Sequence, residues 1–453
     1  MNKEELLAQV DLLEPMCTAS CTFLWEHPEV GGTEYASAGY LRDTLTQAGF
    51  HLVNSEKLPH AFYAEYGSGH PVIAVLGEFD ALPGLSQKVS ADKDPVQPDG
   101  PGHGCGHNLL GSASLVTAVA LKRLLEENHL CGTIRYYGCP EEELLSGKVK
   151  MAYYGMFDGC DLALSWHPGV GSMVVDRGYL ACAYEKFYFT GISSHAAFAP
   201  EAGRSAMDAV ELMNVGANYL REHVTSDARI HYSSDNCGFP PNIVPSKAEA
   251  WYCVRAPKMR DVRSILARIE KIAQGAAMMT ETQVRMEIQH GCCELMTNRT
   301  FADLTYENML RIAPPTYTEE ELAFAKRLQS SVDPAVVAQN KEMFDADEIM
   351  HSTIARRDLC KEYPPRASSD AGDVSQIMPM NAFTVPTWPL GIAPHTWQAT
   401  AGAGSSIGRK SAMFAARIMA AVGYDLLTQP QTVEQIMQEH TQKDPHYRPM
   451  YQD

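Results

Sequence analysis

The sequence predicts an α/β chain: a mainly parallel sheet with helices on both faces, interrupted by a smaller inserted α+β domain. Three observations carry this. Short apolar runs alternate with helical stretches through the first 180 or so residues and again from about residue 295, which is the rhythm of βαβ units. Between residues 182 and 293 the order changes to strand–helix–strand–strand–helix–strand, the split-βαβ pattern of a four-stranded antiparallel sheet. A length of 453 residues exceeds what one ordinary core encloses. The expected organisation is one large domain from residues 1–181 and 294–453, with a second domain, 182–293, inserted into it.

Each element has its own signal. ELLAQVDLLEPM and YASAGYLRDTLTQAGF place apolar side chains three and four apart and read as helices. PVIAVLGEF (71–79) is a nearly unbroken apolar run, the pattern of a strand buried on both faces. SQKVSADKDPVQPDGPG (86–102) is rich in Pro, Gly and Asp and reads as a long loop. LLGSASLVTAVALKRLLEEN (109–128) is a helix; GTIRYYG (132–138) and DLALSW (161–166) are strands. In the inserted stretch ACAYEKFYFTG, ARIHYSS, KAEAWYCVRA and TQVRMEIQHG read as strands, with helices at RSAMDAVELMNVGANYLREH and DVRSILARIEKIAQGAAMM. NAFTVPTWPLG (381–391) is a further strand, and a long helix runs from about Ser405 to Leu427. No internal repeat is visible.

Composition excludes several classes. A hydrophobic share of 45% and a charged share of 20% place the chain among ordinary globular proteins. No apolar run is read as long enough to span a membrane, and MNKEELLAQVDLLEPM reads as a charged amphipathic helix, not a signal peptide. The expectation is a cytoplasmic protein without a membrane partner. Twelve scattered cysteines without a CxxC pair argue against a zinc ribbon or a thioredoxin-like motif. A net charge of −18 with no basic stripe argues against nucleic acid as a partner.

The polar residues then fall in one pattern. PVIAVLGEF leads to Asp80, GTIRYYG to Glu141–Glu143, DLALSW to His167 and NAFTVPTWPLG towards His395. Ligands of open α/β sheets bind beyond the carboxyl ends of the strands. The segment GHGCGHN (102–108) adds Cys105 and His107 on a glycine-rich loop that can fold around an ion. Taken singly, each has a plain reading as a turn former, a solvated helix start or a free thiol. Together they form a thiolate, imidazole and carboxylate set that suits zinc or a similar divalent ion. Five or six donors exceed one tetrahedral site, so two ions are expected, with either Glu142 or Glu143 left over as a general base. The implied chemistry is metal-assisted amide hydrolysis.

The stretches GEFDALPG, GHGCGHN, CPEEELLSGK, SWHPG, SSHAAFAPEAGRSAMDAVELM, PPNIVPSKAEAWYCVR and PHTWQ, in this order, resemble the successive motifs of the di-metal metallopeptidase family of aminoacylase and carboxypeptidase G. The resemblance runs from about residue 70 to the C-terminus. GEFDALPGLSQ, CGHN and HTWQATAGAGSSIG are most similar to its aminobenzoyl-glutamate hydrolase branch. It implies that Cys105, His107, Glu143, His167 and His395 hold two divalent ions in each copy of the chain, zinc or manganese. Glu142 would be the general base, and Asp80 would orient a ligand. His195 would reach a partner subunit's site to stabilise the oxyanion, while Asn242 and Arg255 would hold a substrate carboxylate. His103 matches a family histidine that is not a ligand. The inserted domain would be a dimerisation or lid domain of a homodimer, and the substrate a small N-acyl or aminobenzoyl amino acid, or a dipeptide. Two departures stand out. Leu144 and Leu145 replace glycines common in relatives, which suggests a narrower, more apolar mouth, and Glu141 makes the acidic run three long, leaving the register of the base open by one. Competing readings are a general N-acyl-amino-acid deacylase or dipeptidase, a cysteine hydrolase using Cys105 with His107, and a non-catalytic metal-binding protein.

Overall fold

A computed structural model describes residues 1–453 except 178, 238–239, 365, 441–446 and 452–453. It divides into two compact units. The first comprises Met1–Gly178, Met296–Pro365 and Val374–Tyr447; the second comprises Tyr179–Leu295, Arg366–Asp373 and Arg448–Asp453. In chain order the strands are β1 (His51–Asn54), β2 (Phe62–Ser68), β3 (Val72–Glu78), β4 (Gly132–Cys139), β5 (Leu162–Leu164), β6 (His167–Gly169), β7 (Met173–Val174), β8 (Ala181–Thr190), β9 (Arg229–Asp235), β10 (Lys247–Ala256), β11 (Gln283–Cys292) and β12 (Phe383–Pro386).

The first unit holds a five-stranded sheet in the order β1-β2-β4-β3-β5. β4, β3 and β5 form its parallel part, and β2 and β1 extend it antiparallel. Every residue of β3 is buried, as its apolar run predicts. The helix His107–Asn128 packs on β3 and β4 and against the helices Glu14–Glu26 and Ser406–Thr428. By length and composition this helix could cross a membrane, contrary to the sequence expectation of no such run. It is instead the central core helix: Leu115, Leu121 and Leu124 are wholly buried, each contributing about 2 kcal/mol.

Three local readings are corrected. The first helix stops at Asp11, and a second begins at Glu14 with Pro15 in its first turn, where the missing N–H costs nothing. DLALSW is strand only over β5. The chain then leaves that sheet, and His167 opens β6 in a separate three-stranded sheet, β6-β12-β7. The strand expected over 381–391 is only the four residues of β12, so His395 is reached through a loop.

The second unit holds an antiparallel sheet in the order β11-β8-β10-β9, with the helices Ala206–Leu220 and Met259–Thr280 packed on it. Buried residues alternate along β8 and β10, so one face meets the helices and the other is more open. One segment well beyond the 182–293 run, Arg366–Asp373, joins this unit through two backbone N–H groups: Leu180 N–H donates to Ala367 O at 2.9 Å, and Cys293 N–H to the Asp373 carboxylate at 2.8 Å.

Candidate active site

The glycine loop begins the site. Gly106 sits at φ +78°, and a Cβ there would meet the Pro168 ring at 2.9 Å; at Gly104 a Cβ would lie 2.5 Å from Leu85 Cδ1. The left-handed backbone at Gly106 favours glycine, whereas at Gly104 the tip of Leu85 would have to shift. His107 then opens the buried core helix, which anchors its ring.

Asp80, two residues beyond β3, orients two donors at once. Its Oδ1 lies 2.8 Å from His107 Nδ1, and its Oδ2 accepts the Glu143 N–H at 2.8 Å. With Nδ1 turned to Asp80, Nε2 is the ring nitrogen that faces the cluster. His167 is turned the same way by a different contact: its Nδ1 lies 2.8 Å from Pro168 O, and its Nε2 is 3.5 Å from Cys105 Sγ. Burial holds His167 down to about 4, so the ring is neutral and able to ligate. His395 N–H donates to Gly104 O at 2.8 Å, and its Nε2 lies 3.3 Å from Glu143 Oε2.

The five expected ligands form two triads, Cys105–His107–His167 and Cys105–Glu143–His395, each with its ligand atoms within 4.8 Å of one another and both sharing Cys105; Glu78, His107 and Glu142 make a third such group. His107 Nε2 and Glu143 Oε1 are buried without a hydrogen-bond partner. Burial, then the nearby Glu143, pushes the Cys105 thiol up, and burial pushes Glu143 up to about 7. Buried orphan donors and a thiol that needs a cation to ionise fit divalent transition ions.

The acidic run separates by backbone geometry. Glu141 sits at φ 57°; its carboxylate accepts from Ser146 Oγ at 2.7 Å and from Lys150, and its N–H donates to Glu34 Oε1 at 2.8 Å. Glu142 and Glu143 turn toward His107, whose Nε2 is 3.9 Å from Glu142 Oε2 and 3.9 Å from Glu143 Oε1. His103 is buried with Nε2 2.9 Å from Leu24 O, a packing role. Leu145 is buried and Leu144 exposed. The sequence reading missed Glu78 and Lys148. Glu78 ends β3 two residues before Asp80, and in a strand such residues share a side; that spacing was the available signal. Its Oε1 pairs with the fully buried Lys148 at 2.7 Å, and its Oε2 lies 3.3 Å from His107 Nε2.

His195, Asn242 and Arg255 lie in the second unit. His195 and Asn242 meet beyond the end of β8, where Ala196 N–H donates to Asn242 O at 2.9 Å and His195 bridges Ile243. His195 lies near the surface. Its Nδ1 accepts from the Ala197 and Phe198 N–H groups at 3.2 and 3.1 Å, which leaves Nε2 as the proton donor. Arg255 pairs in register with Cys182 near the other end of β10, its guanidinium against Cys182, Cys253 and Tyr184. The strand from Lys247 to Arg255 spans roughly 26 Å, and Asn242 lies beyond it. Within one chain Asn242 and Arg255 therefore do not meet on one carboxylate, contrary to the simplest form of the sequence expectation.

Clustered metal-ligand side chains in one unit and a separate four-stranded unit fit the class that the similar proteins define, hydrolases of amide and peptide bonds. The model of the peptidase dimerisation domain matches residues 177–278. The chain is 40% identical over 441 residues to one of the component chains of p-aminobenzoyl-glutamate hydrolase of Escherichia coli (strain K12), covering 92% of this chain and 90% of that protein. It is 26% identical over 437 residues to the Xaa-Arg dipeptidase of Mus musculus, covering 92% and 86%. A solved Bacillus subtilis structure, described as a dinuclear metal binding peptidase from the M20 family, superposes with a TM-score of 0.58 at 16% identity, over 93% of this chain and 99% of that one. The chain belongs to the M20 peptidase family.

Proposed function

We propose that this chain is a metal-dependent amidohydrolase. Its substrate is an N-acyl or aminobenzoyl amino acid, aminobenzoyl-glutamate-like, or a dipeptide, with a free carboxylate next to the scissile amide. The observation that carries the reading is the pair of donor triads sharing Cys105, beside the buried Glu142; the E. coli relative's name supports the aminobenzoyl class. Cys105, His107, Glu143, His167 and His395 hold two divalent ions, zinc or manganese, which when bound polarise the carbonyl and lower the pKa of water toward about 7. Asp80 keeps His107 and the Glu143 loop in place. Glu142, outside both triads, takes the proton from the attacking water and delivers it to the leaving nitrogen. His195 donates from Nε2 to the developing oxyanion at the site of a second copy. Arg255 of one chain and Asn242 of the other receive the substrate carboxylate.

Residues 1–181 and 294–453 form the catalytic domain in this reading, and 182–293 the dimerisation or lid domain of a homodimer. All twelve cysteines are free, which suits the reducing cytoplasm.

A panel of aminobenzoyl-glutamate, N-acyl amino acids and dipeptides, with metals stripped and returned singly, tests the assignment. Turnover should vanish on chelation, return with zinc or manganese, and fall by about 10²-fold or more when the carboxylate is capped as an amide. Full turnover in a rigorously metal-free sample overturns the reading.

A further inference from the structure

Glu78 has no part in the roles above, yet the cluster is built around it. It is 3% exposed, and its two oxygens are treated differently. Oε1 is held by Lys148 Nζ at 2.7 Å, a lysine with no exposed surface. Oε2 is buried without a hydrogen-bond partner and faces His107 Nε2, itself buried and unpartnered, at 3.3 Å. Two orphaned polar atoms aimed at each other without a hydrogen bond are what a pair of ligands to one cation looks like. The ligand atoms of Glu78, His107 and Glu142 also lie within 4.8 Å of one another, a third grouping that overlaps the first triad at His107. Charge points the same way. The carboxylates of Glu78, Asp80, Glu142 and Glu143 all approach the His107 ring, at 2.8 to 3.9 Å, four acids around one imidazole.

We propose that Glu78 is a metal ligand, a sixth protein donor that binds the ion on His107 through Oε2 while Lys148 occupies Oε1. The lysine makes the carboxylate monodentate by taking its second oxygen, and sets which oxygen faces the ion. A carboxylate added to Cys105, His107 and His167 gives that ion four protein donors, a set zinc accepts readily. The inference rests on the two-ion reading above, and its test separates the two.

Metal content and affinity are measured by elemental analysis and chelator competition for the wild-type chain, Glu78→Gln and Lys148→Met, with circular dichroism as a check on folding. Cobalt-substituted samples are compared by visible absorption. Wild type should hold two ions. Glu78→Gln should bind one of them at least 10- to 100-fold more weakly, the scale on which even outer-shell partners act, and the cobalt spectrum should change. Lys148→Met should keep both ions, because it leaves Oε2 of Glu78 in place beside His107 Nε2. If Glu78→Gln does not fold, the double variant Glu78→Gln/Lys148→Met removes both buried charges together and should still lose the ion. Two ions at wild-type affinity and an unchanged cobalt spectrum in Glu78→Gln, or in the double variant, overturn the proposal and leave Glu78 a partner of Lys148 alone. A wild type that binds no metal overturns the two-ion reading, and this proposal with it.

Discussion

At the scale of the residue, the three consecutive glutamates have three environments. Glu141 is tied to Lys150 and Ser146, Glu143 faces His395, and Glu142 is buried beside His107 outside both triads. Glu142→Gln should cut turnover by about 10²–10⁴-fold while metal content stays near that of wild type. Glu143→Gln should lose metal as well as activity. The reverse pattern in elemental analysis would exchange the two roles. Sequence narrowed the base to adjacent positions and could go no further, because the choice depends on the left-handed backbone at Glu141 and on which side chain Lys150 takes. Glu78 was overlooked because it reads as the last residue of a buried strand, and nothing local marks Lys148, far along the chain, as its partner.

At the scale of the element, two positions test the physical account of the helices and sheets. Gly39 lies within the helix Tyr35–Gln47, and a Cβ added there meets nothing within 4 Å. Gly39→Ala should stabilise the chain by about 0.5–1 kcal/mol through helix propensity alone; a lower denaturation midpoint would contradict the open space. On β8, Glu185 is 2% exposed and its Oε2 has no hydrogen-bond partner. Burial, with Glu270 adding to it, raises its carboxyl to about 8 from 4.5. A carboxyl raised on folding gives stability that is fully present below the unfolded value and is lost as pH rises through the folded one. The second unit should therefore lose stability between about pH 5 and about pH 9, and Glu185→Gln should remove most of the part of that loss that Glu185 causes. Hydrogen exchange of β8 and β10 amides at the two pH values is the measurement; equal slopes in both proteins would show that Glu185 ionises without penalty.

At the scale of the whole molecule, the second unit's own geometry argues for a shared site. His195 and Asn242 lie together at one end of the β8–β10 ladder and Arg255 lies near the other, so the proposed roles of all three on one substrate require two copies. The match to a peptidase dimerisation domain supports the same assembly. Glu142→Gln and His195→Ala chains should each be inactive alone. Random exchange makes about half of the mixed dimers hybrid, and each hybrid carries one intact site, so activity should return to about a quarter of wild type. Exchange shown by mass with no recovered activity would confine His195 to its own chain or to no catalytic role.

Residue types and local spacing were enough to point to five candidate donors, though not Glu78, and to the inserted domain: Cys105 and His107 bracketed by glycines, acids and histidines just beyond the apolar runs, and the switch near residue 182 from a βαβ rhythm to a split-βαβ one. Those features survive without long-range information because periodicity and turn chemistry act over a few residues. Tertiary structure alone decided how the donors combine. The sharing of Cys105 between two triads, the double use of Asp80, the approach of Glu78 to His107 and the meeting of His195 with Asn242 all depend on segments far apart in sequence. What brings those segments to their distances is the burial of β3 and the core helix, along with the register of β8 on β10, and no local pattern encodes a distance between them.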